Sequence, residues 1–242
     1  MASPATIGLL LLLLSFIGAA YLFLSVILAV KQRGIIAWIA LLNAVIFTYM
    51  ALVNPQLITT YALSQAKVAA GMGYTLISYM FVHANLAHLV LNTFALLYFG
   101  YNMEKEFGAA PTAMVYLVSG LIAGGVYILT SNPTSMVVGA SGAIFGLMAY
   151  LTLLRPFKIS PMPFLIPMPV ALATVIYVIL LVPVYLSGNV SQFGNVAQNA
   201  HLGGLLGGSL MAFGMNYGEA LKGLLIVIVI AILVIILPPL FI

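Results

Sequence analysis

The stretch VVGASGAIFG, Val137–Gly146, places a Gly-Ala-Ser-Gly tetrapeptide inside a long apolar segment. Gly142 and Gly146 lie four residues apart, a spacing that lets a second helix approach closely, so packing alone could explain these glycines. Ser141 beside them could be packing material in the same way. It could also be a nucleophile, provided that the fold brings a base and water to it. The rest of the sequence has to decide between these two interpretations.

The composition excludes a water-soluble protein. Of the 242 residues, 64% are hydrophobic and 4% are charged, whereas soluble domains carry about 25% charged residues. Such a chain cannot cover a surface that faces water, so the sequence predicts an all-α polytopic membrane protein that is surrounded by the lipid bilayer. Cysteine is absent, which excludes disulfides and thiolate nucleophiles. Membrane topology explains the small basic excess better than nucleic acid does, and we expect no nucleic-acid partner.

Eight apolar segments approach the length of about 20 residues that a helix needs to cross a bilayer. In chain order, segments one to eight are Ala5–Val30, Ile35–Val53, Tyr79–Met103, Pro111–Thr130, Met136–Leu154, Met162–Leu186, Val196–Met215 and Leu224–Phe241. Two connections between them are unusual. The first, Asn54–Gly73, contains a stretch with spaced apolar positions that predicts a short interfacial helix. The second, SPMPFLIPMP at Ser160–Pro169, carries four prolines, which restrict helix formation where it enters segment six.

Basic residues mark one side of the membrane. The loops after segments one, three, five and seven carry six of them, namely Lys31, Arg33, Lys105, Arg155, Lys158 and Lys222. Lys67 is the one basic residue of the intervening loops. The positive-inside rule therefore predicts that the loops with six basic residues are cytoplasmic and that both termini are external. We expect an integral multi-pass protein of the cell membrane.

Polar side chains within apolar spans are costly and suggest a functional site. In segment three, His88 and Asn92 are four residues apart and so share one helix face, and His83 precedes them. Ser141 and His201 lie in segments five and seven. His88, Ser141 and His201 each lie in the external part of segments that run inward, roughly 9–14 Å below the boundary at 1.5 Å per residue. This common depth favours one site over scattered interhelical hydrogen bonds.

The length of segment five points to an external cavity. Fourteen residues separate Ser141 from Arg155, which amounts to about 21 Å of helix. The hydrocarbon core is about 30 Å thick. If Arg155 marks the cytoplasmic surface, a helix that begins near Ser141 starts well below the external surface. Non-helical backbone above it requires a protein-lined or wet cavity, so the sequence predicts a pocket that water can enter from outside.

These residue types can perform serine hydrolase chemistry. His201 can act as base for the Ser141 hydroxyl and then as acid for the leaving group. The unpaired backbone N–H of Ser141 at a helix N-terminus, with His88 and Asn92 as donors, can stabilise an oxyanion. Aspartate is absent and the three glutamates are predicted to be cytoplasmic, so we expect a Ser–His dyad with His201 oriented by the ring of Phe145. A metal site made by the three histidines is a poorer interpretation, because no carboxylate or thiolate accompanies them.

The sequence resembles the rhomboid intramembrane serine proteases over Ile35–Met215. The resemblance rests on four features: Gly139-Ala140-Ser141-Gly142 matches the family's GxSG, His201 matches the catalytic base and is followed by Gly204 and Gly208, His88 and Asn92 match the HxxxN of the second core helix, and His83 matches a further histidine at the start of that helix, in the turn above His88. The family uses this HxxxN with the serine amide as its oxyanion hole. Phe145 stands where many relatives have tyrosine and keeps the ring without the hydroxyl.

The resemblance implies a rhomboid-like six-helix core with one extra N-terminal and one extra C-terminal transmembrane helix. We therefore expect a transmembrane anchor at residues 1–34, a catalytic core at residues 35–216 and the last helix at residues 217–242. It also implies cleavage of single-span transmembrane protein substrates near the external interface, with no cofactor and no metal. Substrates would enter sideways past segment six and the Ser187–Asn195 loop, in which Gly188 and Gly194 are candidate hinges.

Two other functions remain open from the sequence. A non-catalytic rhomboid-like protein that binds transmembrane clients would usually lack the serine or the histidine, and both residues are present here. A transporter favours sites near the bilayer midplane and repeated halves, and the sequence shows no internal repeat. Loss of cleavage in a Ser141→Ala variant would separate the protease from both.

Overall fold

The computed structural model describes residues 34–162, 165–186 and 198–236. Its helices are α1 (Ile35–Leu52), α2 (Leu57–Tyr61), α3 (Gln65–Ala69), α4 (Thr75–Ser78), α5 (Leu86–Phe107), α6 (Ala109–Thr130), α7 (Ser141–Leu154), α8 (Val170–Leu186), α9 (Gln198–Met215) and α10 (Tyr217–Ile236). Segments two to eight each contain one of the longer helices, which confirms the prediction of an all-α polytopic membrane protein. Segment one and the Ser187–Asn195 loop lie outside the described residues, and the division of the chain at residues 34 and 216 stays a prediction.

Among the described residues, three helices are individually long and apolar enough to cross a membrane, namely α1, α6 and α10. Thr75–Phe81 and α5 pass the same test as a pair, but the chain bends by 92° between them. Helix α7 is apolar and shorter, with 14 residues, and begins at Ser141, five residues after the start of the apolar segment at Met136 and where the length argument assumed a helix start. The prediction that segment three runs as one helix from Tyr79 is therefore wrong.

Asn85 explains where helix α5 begins. Its backbone is extended and its side-chain Oδ1 accepts the N–H of His88 at 2.9 Å, which caps the helix at Leu86. The preceding residues form a single 3₁₀ turn, Tyr79–Phe81. His83 therefore lies in the bend before α5 and does not occupy the helical turn above His88 that the sequence predicts.

Helix α7 lies in the middle of the fold. Every residue from Gly142 to Leu154 is buried. Helix α9 packs along it through glycines, because a Cβ on Gly204 would overlap the carbonyl of Gly142 and a Cβ on Gly208 would overlap that of Gly146. Two further glycines of α9 face α6, where a Cβ on Gly203 would lie 2.8 Å from Ala123. The small residues of α9 therefore allow close contact with two helices at once.

Two carboxylates near the end of α5 bind groups at the ends of neighbouring helices. Glu104 near the end of α5 accepts the N–H of Ile35 at 2.7 Å and that of Ile36 at 3.2 Å, and so caps the start of α1. Glu106 binds the Arg155 Nε at 3.3 Å and also the Lys158 ammonium, just after the end of α7. The charged residues thus join the end of α5 to the starts or ends of its neighbours.

The proline-rich connection folds as a hairpin. Strands β1 (Ile159–Met162) and β2 (Leu165–Pro169) pair antiparallel, with Ile159 opposite Pro169. Helix α8 begins only at Val170, so the predicted start of segment six at Met162 is wrong. Proline lacks the N–H that an α-helix needs in its interior, which leaves this stretch extended.

The last helix begins earlier than the hydropathy pattern predicts. Helix α10 starts at Tyr217, not at Leu224. The Asn216 Oδ1 accepts the N–H of Glu219 at 3.1 Å, which caps the first turn. Glu219 then pairs with Lys222 at 3.2 Å. A hydropathy window excludes this charged first turn, although the cap and the ion pair favour helix.

The connection Asn54–Gly73 is held against the segment that leads into α7. Leu63 and Val137 form an antiparallel bridge, with N–H to O distances of 3.0 and 2.9 Å. The short helix predicted in this connection is present as α3, with Ser64 as its cap. Lys67 directs its ammonium at the carbonyls that end α2, among them Ala62 at 2.9 Å. The connection is therefore fixed close to the Gly-Ala-Ser-Gly turn.

Candidate active site

Ser141 occupies the first position of α7, directly after a tight turn. Gly139 has a φ of +122°, a conformation that side-chain-bearing residues rarely adopt. Ala140 then caps the helix without a side-chain hydrogen bond. The N–H of Ser141 therefore belongs to the first turn, where backbone donors have no partner within the helix. This backbone angle explains why the sequence has glycine at position 139, two residues before the serine.

Ser141 and His201 are in direct contact although 60 residues separate them. The His201 Nε2 lies 2.8 Å from the Ser141 Oγ, which is a hydrogen bond. Ser141 is partly exposed and His201 is buried. The ring of Phe145, one turn after the serine, stacks on the imidazole with a centroid distance of 4.3 Å and an interplanar angle of 21°. The structure thus places these three predicted residues together.

Glycines bring the serine and the histidine within this distance. Gly142 follows Ser141, and its carbonyl meets the Cα of Gly204, which follows His201 by three residues. A larger residue at Gly204 would push α7 and α9 apart, and a Cβ on Gly142 would lie 2.6 Å from the Cβ of Ala123 on α6. The glycines therefore do pack helix against helix, and this packing brings the two side chains together. The role of Ser141 as a nucleophile stays a prediction.

His88 lies against the turn before the serine. A Cβ on Gly139 would lie 2.7 Å from both the Cε1 and the Nε2 of the His88 ring. The Nδ1 of the same ring accepts the N–H of Ala84 at 3.5 Å. In a neutral imidazole this leaves the proton on Nε2, at the edge that faces the turn. His88 is therefore oriented as a hydrogen-bond donor next to the Gly-Ala-Ser-Gly turn.

Asn92 lies one turn further along α5. Its Nδ2 donates to the carbonyl of His88 at 2.9 Å, within its own helix. Its buried Oδ1 has no hydrogen-bond partner among the residues that the structure describes. The amide has a second N–H. A direct contact with an oxyanion stays a prediction for this residue.

His83 contacts His88 and not the serine. It is 1% exposed, and its ring meets that of His88 edge to face with a centroid distance of 5.2 Å. Neither ring nitrogen has a hydrogen-bond partner within the described part of the chain. His83 therefore packs against the His88 ring and can help to hold its orientation.

The site contains no carboxylate to orient His201. The chain has three glutamates. Two of them, Glu104 and Glu106, lie in the last turns of α5, at the opposite end of this helix from His88. Glu219 pairs with Lys222 in α10. The Nδ1 of His201 is buried and has no hydrogen-bond partner in the described ranges. Stacking on Phe145 is the contact that fixes the plane of this imidazole.

Sequence reasoning missed two contacts of the serine turn. The carbonyl of Tyr79 accepts the N–H of Gly139 at 2.9 Å, and the Leu63–Val137 bridge holds the strand before it. Both contacts use backbone atoms and join residues that are far apart in the sequence. Every residue type has the same carbonyl and nearly every type has the N–H, so no residue pattern predicts these contacts.

The arrangement provides a hydroxyl bonded to an imidazole, with a free helix N-terminus and a second imidazole beside it. In a neutral His201 the Nε2 can accept the serine proton, which activates the oxygen for attack on a carbonyl carbon. The unpaired N–H of Ser141 and the Nε2–H of His88 are donors suited to developing negative charge. These groups together suit acyl transfer through a covalent serine intermediate.

Comparison with known proteins gives a consistent result. Residues 70–218 match the family model described as a rhomboid domain. RHOMBOID-like protein 5 of Arabidopsis thaliana is 34% identical over 155 residues, which cover 63% of this chain and 47% of that protein. Rhomboid-like protease 5 of Toxoplasma gondii is 34% identical over 141 residues, 55% of this chain and 15% of that protein.

A bacterial relative matches over more of its length. The rhomboid-named protein YdcA of Bacillus subtilis (strain 168) is 31% identical over 194 residues, which cover 76% of this chain and 89% of that protein. By contrast, the chain spans less than half the length of the two eukaryotic relatives.

Proposed function

The chain belongs to the rhomboid family of intramembrane proteases, and we propose that it is a serine endopeptidase that hydrolyses peptide bonds of transmembrane substrates through a Ser141–His201 dyad. The hydrogen bond of 2.8 Å between the Ser141 Oγ and the His201 Nε2 is the observation that carries this proposal. Family membership alone does not establish activity, because the chemistry depends on this pair.

The proposed reaction has two steps. The Ser141 oxygen attacks the substrate carbonyl while the His201 Nε2 takes its proton, and the resulting oxyanion receives hydrogen bonds from the Ser141 N–H and His88. The imidazolium then returns the proton to the amine nitrogen as the C–N bond breaks, which leaves an acyl-serine. Water attacks this ester with His201 again as base, and the serine is released with the acid product.

Position in the membrane supports a transmembrane substrate. Helix α7 has 14 residues and would span about 21 Å, so a serine at its start lies below the surface of a hydrocarbon core of about 30 Å. Four of the five described basic residues, Lys105, Arg155, Lys158 and Lys222, lie toward the opposite end, and Lys67 lies at the end of the serine. By the positive-inside rule this distribution supports a position of the serine in the external half. We infer that single-span proteins are cleaved near the external interface and enter past α8, and that both termini are external.

The test combines an active-site label with a cleavage assay. A fluorophosphonate probe is applied to the purified wild type and to Ser141→Ala and His201→Ala, and cleavage of a single-span membrane substrate is measured in liposomes. Removing either partner of the dyad is expected to lower cleavage by at least about 10⁴-fold and to abolish labelling. Ser119→Ala is the matched control, because Ser119 is a fully buried serine on α6 outside the proposed dyad.

Retained cleavage in Ser141→Ala would overturn the mechanism. A folded wild type that neither reacts with the probe nor cleaves would instead favour a protein that binds transmembrane clients without hydrolysing them.

A further inference from the structure

Tyr79 lies next to the serine turn without belonging to any sequence motif. It opens the 3₁₀ turn Tyr79–Phe81 before the bend that leads into α5, and it is 1% exposed. Its hydroxyl donates to the carbonyl of Gly120 on α6 at 2.7 Å. A buried tyrosine hydroxyl needs such a partner. This bond fixes the far end of the side chain against a helix that packs on α7.

The main chain of Tyr79 contacts the first glycine of the Gly-Ala-Ser-Gly turn. Its carbonyl accepts the N–H of Gly139 at 2.9 Å. Gly139 is the residue with the left-handed backbone angle, and the ring of His88 packs on its Cα. The hydrogen bond therefore sets the orientation of the peptide on which the turn depends.

The side chain of Tyr79 contacts the last glycine of the same turn. A Cβ on Gly142 would lie 3.4 Å from the Tyr79 hydroxyl oxygen, which is ordinary van der Waals contact. The ring also lies against Gly124 of α6, where a Cβ would approach it to 3.2 Å. One residue thus accepts the N–H of Gly139 and directs its hydroxyl toward the open side of Gly142, and these two glycines flank Ala140 and Ser141.

We propose that Tyr79 is a positioning residue for the reaction, which holds the Ser141 oxygen and N–H at the correct place relative to His201. The inference rests on the proposed function of the Ser141–His201 dyad. A tyrosine has only two side-chain torsions, so its carbonyl and its hydroxyl act as a spacer of nearly fixed length. Loss of the hydroxyl bond frees one end of that spacer and lets the start of α7 shift.

Such a shift affects the chemical step more than substrate binding. The Ser141 N–H acts on the oxyanion, which exists only in and near the transition state. An interaction of this kind lowers kcat when it is weakened and leaves KM nearly unchanged. If Tyr79 were only structural, its replacement would lower the unfolding temperature without changing kcat per folded molecule.

Tyr79→Phe is the test, with Tyr116→Phe as the matched control. Tyr116 is 0% exposed and its hydroxyl also donates to a backbone carbonyl, that of Met80 at 3.5 Å, but it does not contact the serine turn. We expect Tyr79→Phe to lower kcat about tenfold, the size of one lost hydrogen bond, with KM within about twofold. Tyr79→Leu, which also removes the ring, is expected to lower kcat about 100-fold.

Rates are taken per mole of monodisperse protein, and fluorophosphonate labelling in isolated membranes gives a second measurement that needs no purification. A fall in kcat and in labelling rate for Tyr79→Phe, absent from Tyr116→Phe, supports the proposal. Equal kcat in the two variants, or a change in KM alone, overturns it. A wild type that neither labels nor cleaves would contradict the dyad itself, so the two failures are distinguishable.

Discussion

The two ends of the helix bundle are built from different kinds of polar groups. The site end, where α5, α7 and α9 begin, contains His88, Ser141 and His201. The charged end, where α5 and α7 finish, contains Glu106 and Arg155 with their partners. Uncharged groups that can be buried thus serve the chemistry, and permanent charges serve the helix ends.

The difference follows from the cost of burying charge. An ionised side chain taken from water into an apolar interior loses several kcal/mol unless it is fully paired. His201 is buried and can remain neutral until it takes a proton during the reaction. Glu106 keeps 28% of its side chain exposed and can stay charged. In the proposed dyad, stacking on Phe145 takes the place of a third, acidic residue in orienting the histidine.

The largest expected effect compares two glycines at equally tight helix contacts. A Cβ on Gly204 would overlap the Gly142 carbonyl at the site end, and one on Gly223 of α10 would overlap the Leu153 carbonyl at the charged end. Overpacking of this kind costs about 1–3 kcal/mol, so both Gly204→Ala and Gly223→Ala should lower the unfolding temperature. We expect Gly204→Ala alone to lose cleavage, by at least about 100-fold, because it separates Ser141 from His201.

Gly214 of α9 provides a neutral control for the substitutions of Gly204 and Gly223. No atom lies within 4 Å of its Cβ position among the described residues, so Gly214→Ala should preserve both stability and cleavage. Unfolding temperatures in detergent and cleavage rates in liposomes measure the two effects. Equal loss of cleavage in Gly204→Ala and Gly223→Ala would show that the two ends do not differ in the way described.

A second comparison uses two glycines with unusual backbone angles. Gly139 at the site end has a φ of +122° and Gly108 at the charged end has a φ of +88°. Alanine at either position costs about 1–3 kcal/mol of backbone strain. At Gly139 it also meets the His88 ring, whereas the space around Gly108 is open within the described structure. We expect Gly139→Ala to lower kcat about 30-fold through the displaced donor, and Gly108→Ala to lower stability only.

The measurement is kcat together with the unfolding temperature for both variants. A normal kcat in Gly139→Ala with reduced stability would remove His88 from the proposed oxyanion site.

The smallest expected effect concerns the ion pairs themselves. Glu106→Gln removes the partner of Arg155 and Lys158. Exposed ion pairs contribute about 0–1 kcal/mol, so the unfolding temperature should fall slightly, and less at high salt because salt screens the pairs. Cleavage should stay within about twofold, since no site atom moves. A large loss of cleavage would show that the charged end controls the site, and Glu219→Gln in α10 is the control for removal of one carboxylate.

Sequence patterns identified side chains that the structure brings together because these patterns are local, and the chemical roles of these side chains stay predictions. Ser141 is marked by its glycines, and the spacing of His88 and Asn92 places them on one helix face. The premise that a helix begins near Ser141 also agrees with the start of α7. Helix starts were less predictable. The caps at Asn85 and Asn216 and the prolines before Val170 shift them away from the boundaries of the apolar segments.

The sequence by itself determined that the protein lies in a membrane, that it is built from apolar helices, and which side chains are available for serine chemistry. These properties depend on composition and on spacings of a few residues, which fix hydropathy and helix faces directly. Only the tertiary structure decided that Tyr79 holds the serine turn, that Glu104 caps α1, and that the Leu63 backbone pairs with the strand before the serine. Those contacts join distant residues and mostly use backbone atoms, which are the same in every residue type, so packing alone selects their partners.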